Sequence, residues 1–121
     1  MAIMSAAPHL LRMAIEVPDL NIWISKWERI IGPGFETMTV QQPTGDVLIA
    51  IHPAGIELVQ SREEKLGLRS FHLAVEDIDE LVPVLDELGW DSTPGPVVQG
   101  RQHQIVSAEG LRMLLVEVAA K

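Results

Sequence analysis

The 121-residue chain carries a formal charge of −8, is 47% apolar, and has neither cysteine nor tyrosine. That length supports one hydrophobic core and is short for two, so a single domain over residues 1–121 is expected, packed chiefly with Leu, Ile, Val, Ala and Met. The acidic balance disfavours nucleic acid and anionic membranes as partners, since both call for clustered Lys and Arg, and the missing cysteines exclude disulfides, thiolate metal sites and cysteine nucleophiles.

Residues 1–8 lack the basic residue and apolar run of a secretory leader, and no segment approaches the length of a membrane span, so a cytoplasmic location is expected. Residues 10–17 read as a strand ending at Pro18. Asp19 is placed to cap a helix reaching Ile31, whose apolar stripe is Leu20, Trp23, Ile24, Trp27, Ile30 and Ile31. Gly32-Pro33-Gly34 stops it. Strands follow at 35–40, 46–51 and 56–60, the last two joined by a tight turn through His52-Pro53-Ala54-Gly55. The pattern then restarts: a strand over 70–75, a cap at Asp77, a helix through Leu81, Leu85 and Leu88, and a stop at Gly89. Pro83 is dissonant there, costing a hydrogen bond or bending the helix. Shorter strands are expected around 90–93, 102–106 and 111–118.

Val17-Pro18-Asp19-Leu20-Asn21 returns as Val75-Glu76-Asp77-Ile78-Asp79, 58 residues later, so the chain is a tandem of strand, helix and three strands. Module one covers about 8–60 and module two about 68–119. A helix on one face of each sheet is expected to bury Ile49, Ile51, Ile56 and Leu58, leaving the other face to line a concavity.

With these two junctions and Gly55-Ile56-Glu57-Leu58-Val59 in the fourth strand, the chain resembles the vicinal oxygen chelate superfamily of glyoxalases, bleomycin-resistance proteins and dioxygenases. The resemblance covers almost the whole chain. It implies an α+β fold in which tandem βαβββ modules form a cupped mixed sheet with the helices on its outer face. Metal-dependent members carry ligands that the resemblance maps to Arg12, Ser70, Glu57 and Leu114. Of these only Glu57 suits a metal, because Arg stays protonated, Leu has no donor atom and a Ser hydroxyl is a weak ligand. His72 lies on the strand face of Ser70, and with Glu57 it could recruit a loosely held ion that Arg12 would repel. No metal and no cofactor are therefore expected.

The resemblance makes the first and fourth strands neighbours, so Arg12 and Glu57 can meet as a cross-strand ion pair, either structural or functional. Alternation adds Ala14, Glu16, Val59, Arg112 and Leu114 to the cavity face, and hairpin register adds His103. Arg12, Glu57, Ser70, His72, His103 and Arg112 then form a polar set on otherwise apolar strands. Trp90 enters a strand that reaches the rim in this fold, which makes it a ligand-binding candidate. Trp23 and Trp27, four apart, suit core or subunit-interface packing.

These residues suit a metal-independent enzyme acting on a small carbonyl or carboxylate compound in an isomerase, epimerase or lyase step. Glu57 or His72 would remove a proton α to a carbonyl, and Arg12, helped by Ser70 or Arg112, would stabilise the enolate oxygen. The alternative is a non-catalytic protein of the bleomycin-resistance type that sequesters an antibiotic or metabolite. The acidic charge suits a cationic compound, whereas the few aromatic residues offer little stacking. A true glyoxalase activity is disfavoured by Arg12, Ser70 and Leu114. Homodimerisation is expected from the resemblance, with the helix bearing the Trp pair supplying part of the interface.

Overall fold

The computed structural model describes residues 8–42 and 44–118. The architecture is α+β, two βαβββ modules in tandem. The first holds β1 (His9–Val17), α1 (Leu20–Ile31), β2 (Glu36–Val40), β3 (Val47–His52) and β4 (Ile56–Gln60). The second holds β5 (Gly67–Val75), α2 (Ile78–Leu88), β6 (Asp91–Pro94), β7 (His103–Ala108) and β8 (Leu111–Glu117). Residues 12–69 form one compact unit, and residues 70–118 with 8–11 form the other.

In the first module the strand order is β2-β3-β4-β1, with β1 parallel to β4 and the other pairs antiparallel. Asp19 has extended backbone and its carboxylate accepts from the Ile22 N–H, which satisfies one of the donors that a helix start leaves open. Gln60, ending β4, supplies a second: its Oε1 accepts from the Leu20 N–H at 2.8 Å while its Nε2 donates to the Pro18 carbonyl at 2.8 Å. α1 covers one sheet face, where Val17, Leu20, Ala50 and Leu58 are buried with Ile15, Trp23, Ile24, Trp27, Phe35 and Ile56 against them. Both helical Trp side chains thus belong to the module's own core.

Two expectations are corrected here. Ile30 is 74% exposed and lies off the core stripe. Ile49 and Ile51 pair with Val59 and Glu57, whereas Ala50 pairs with Leu58. Since paired residues share a face, Ala50 is the β3 residue under α1, and Ile49 and Ile51 stand on the other side. The turn after β3 is pinned by buried His52. Its Nε2–H is shared between the Gly32 and Pro33 carbonyls, each at 3.1 Å, and its Nδ1 accepts from the Ala54 N–H at 2.9 Å. Gly34 permits this approach, because a Cβ there would sit 3.0 Å from His52 Nε2, and its φ of 141° disfavours other residues.

The second module repeats the plan, with order β5-β8-β7-β6 and β5 parallel to β8. Asp77 caps α2 by accepting from the Glu80 N–H, and Gly89 ends it in the left-handed conformation at φ 76°. Glu117, ending β8, accepts from the Ile78 N–H at 2.8 Å, the counterpart of Gln60. Pro83 sits inside α2 and is exposed, so the helix forms around it at the cost of one hydrogen bond. Val75, Ile78, Leu85, Val106, Ala108, Met113 and Leu115 make the core. Leu88 is 54% exposed and takes no part in it.

Candidate functional site

The face of the first module turned away from α1 is set by ladder register. Ala14 pairs with Glu57, Glu16 with Val59, and Ile51 with Glu57 from the other side. β4 is flanked by β3 and β1, so the Glu57 carboxylate rises from the interior of the sheet between Ile51 and Ala14. Burial there pushes its pKa above the ordinary 4.5, opposed first by the Arg12 guanidinium and then by that of Arg69. Arg12 Nη1 lies 3.7 Å from Glu57 Oε1, with each side chain about a tenth exposed (10% and 11%). That separation is an ion contact longer than a charge-assisted hydrogen bond. The carboxylate is therefore more basic than one in water, and a fixed positive charge stands beside it.

Arg69 also faces Glu16, Nη1 to Oε2 at 3.4 Å, and the two border a groove of about 230 Å³ together with Val59, Gln60, Ser61 and Arg62. Arg69 is absent from the sequence expectation because that strand was expected to begin at Ser70, whereas β5 begins at Gly67, and its first residues, Gly67 and Leu68, are both exposed and give no alternation.

In the second module Ser70, His72, His103 and Leu114 share the face turned from α2. His72 pairs with Leu114, Leu114 with Ile105, and His103 with Val116. Ser70, His72 and His103 are buried, and the two imidazoles meet edge to face with centroids 6.4 Å apart. His103 Nδ1 lies 3.0 Å from the Arg101 carbonyl, so this nitrogen carries a proton and donates it there. Arg112, paired with Ser107, points the same way from an exposed position. Trp90 is placed otherwise: it packs into the core beneath α2, and its indole N–H donates to Glu109 at 3.1 Å. The expectation of a rim position gives way to packing against the core, with the indole N–H directed to Glu109.

The residues do not fit the metal that the resembled fold often holds. The mapped positions are Arg12, Ser70, Glu57 and Leu114, and the guanidinium of Arg12 stands 3.7 Å from Glu57, the one carboxylate among them. Among the described residues no group of three or more His, Asp or Glu gathers as a metal site.

No protein-family model matches the chain, and no curated protein matches it. Solved structures do. A hypothetical protein from Bacillus halodurans is 19% identical with a TM-score of 0.73, covering 95% of this chain and 97% of its own. Methylmalonyl-CoA epimerase from Mycobacterium tuberculosis is 17% identical with a TM-score of 0.69, covering 97% and 94%. A Streptomyces coelicolor methylmalonyl-CoA epimerase variant in complex with 2-nitronate-propionyl-CoA is 17% identical with a TM-score of 0.74, covering 93% and 99%. These epimerases belong to the vicinal oxygen chelate superfamily, and the chain has the fold they share.

Proposed function

We propose that the protein is a metal-independent enzyme that shifts the proton α to a carbonyl in a small carbonyl or carboxylate compound, as an isomerase or epimerase. The observation that carries this reading is the buried Glu57 carboxylate, made basic by its surroundings and paired with Arg12. Burial raises the proton affinity of Glu57 toward that of a working general base. As the proton leaves carbon, charge grows on the carbonyl oxygen. A guanidinium held near the base, in a site poor in water, stabilises that oxygen more in the transition state than in the bound substrate. Reversal of the transfer returns the proton from Glu57 to carbon, and inversion of the centre requires its delivery by a second acid on the opposite face of the enolate.

The second module's His72 is the other candidate base, with Ser70, His103, Arg112 and Leu114 as ligand contacts on its face. The similar structures support the reaction class: one epimerase was solved with methylmalonyl-CoA. For subunit pairing we assign the outer side of α1, the helix expected from sequence, where Ile22 and Ile30 are 53% and 74% exposed. Among the described residues no helix is long and apolar enough to cross a membrane.

The test is α-proton exchange in deuterated water, followed by NMR, with methylmalonyl-CoA and a set of small 2-oxo acids. Exchange with at least one compound, lost by about a hundredfold or more in Glu57→Gln, supports the reading. Exchange that persists in Glu57→Gln and disappears in His72→Gln moves the base to His72. Tight binding with no exchange in any compound instead describes a sequestering protein.

A further inference from the structure

The groove reached along β4 from the Arg12–Glu57 pair is lined by two further guanidiniums in different settings. Arg62 spends its guanidinium on main chain, Nη1 on the Thr44 carbonyl at 2.7 Å and Nη2 on the Asp46 carbonyl at 3.0 Å, and so fixes one wall. Glu63, which also lines the groove, is paired with the exposed Lys65 at 2.8 Å. Arg69 instead meets a carboxylate, Glu16, through one long contact of 3.4 Å, with side chains 31% and 26% exposed. A carboxylate that grips a guanidinium through two parallel hydrogen bonds does so at about 2.7–2.9 Å. Arg69 therefore has binding capacity that Glu16 leaves unused.

Position and size narrow what would use it. Val59 borders the groove and lies two residues beyond Glu57 on the same face of β4, so the groove begins about 7 Å from the Glu57 backbone. Its volume of about 230 Å³ equals roughly seven or eight waters at ~30 Å³ each. That admits a short polar chain and is below the ~300 Å³ at which drug-sized pockets begin.

We propose that Arg69, poised by Glu16, anchors a distal carboxylate of the ligand, so that the substrate class is a short carbonyl compound bearing a second, terminal acid group. Arg12 takes the carbonyl end and Arg69 the far end. The ligand carboxylate displaces Glu16, which returns when the ligand leaves. This rests on the reading of Arg12 and Glu57 as the reacting pair and extends it along the same module.

The experiment titrates 2-oxoglutarate, and 2-oxobutyrate which lacks the distal carboxylate, into the ¹⁵N-labelled full chain, with binding read by NMR. The wild type is expected to hold 2-oxoglutarate about tenfold tighter than 2-oxobutyrate. Arg69→Gln erases that preference, and Glu16→Gln tightens 2-oxoglutarate severalfold by removing the competing carboxylate. A misfolded variant cannot mimic such a gain. Equal affinity for the two acids in the wild type, or a preference that survives Arg69→Gln, overturns the proposal. Glu57→Gln keeps the preference, so failure of the proton-transfer reading would leave this result standing and the two ideas fall separately.

Discussion

Replacing Glu57 by Gln is expected to remove the base and yet stabilise the fold at neutral pH. At 3.7 Å, and with an effective dielectric constant of about 20, the Arg12–Glu57 attraction is about 4.5 kcal/mol. The carboxyl nevertheless titrates above its ordinary 4.5, so the cost of taking the anion out of water exceeds that attraction and the weaker help from Arg69. The folded state then binds the proton more tightly than the unfolded state does. Stability from this group is complete below the unfolded pKa and is lost as pH rises through the folded one. Gln keeps the shape and an acceptor oxygen for Arg12 without the charge. At pH 7 the variant should be the more stable of the two, and at pH 4 the gain should shrink toward zero. Urea denaturation of both proteins at the two pH values measures this, with the difference between them isolating Glu57 from other carboxylates. A variant that is less stable than wild type at pH 7 by the same amount as at pH 4 would refute the reasoning.

Gln60→Ala and Glu117→Ala each uncap a helix from the neighbouring strand end and should each cost about 1–2 kcal/mol in urea denaturation. His52→Ala removes three short polar contacts and the edge contact to Phe35, whose ring centroid is 5.0 Å away. A loss of about 3 kcal/mol is expected, with amide exchange rising in the turn around Gly55. Pro83→Ala restores a helical donor at an exposed position and should raise stability by about 1–2 kcal/mol, visible as a higher Tm; no change would mean that α2 already satisfies the Asp79 carbonyl.

The punctuation of the fold was legible in sequence because it is local. Asp19 and Asp77 cap the helices, Gly32 and Gly89 end them, and the repeated junction announces two modules. Where a strand had one polar face, its alternation could be read too: Arg12, Ala14 and Glu16 alternate with Met13, Ile15 and Val17, while the cross-strand meeting of Arg12 and Glu57 came from the resemblance, which makes the first and fourth strands neighbours. β3 defeated the same method. Val47-Leu48-Ile49-Ala50-Ile51 is apolar on both faces and has no phase, so only pairing with β4 decides that Ala50 faces the helix. The strand-end caps Gln60 and Glu117 act on helices 40 and 39 residues back along the chain, a separation that no local pattern records. Arg69 lies just before the expected start of its strand, and its partner Glu16 lies 53 residues earlier.

The most direct test of the central claim is the pH dependence of α-proton exchange in the wild type and in Arg12→Ala. If Glu57 is the base, exchange rises with pH as the carboxyl ionises, and that limb lies above the ordinary carboxylate range. Removing the guanidinium that favours the anion must move the limb to higher pH and lower its plateau. A limb that stays in place when Arg12 is removed would contradict the account, because the reacting base would then be a group that Arg12 does not touch.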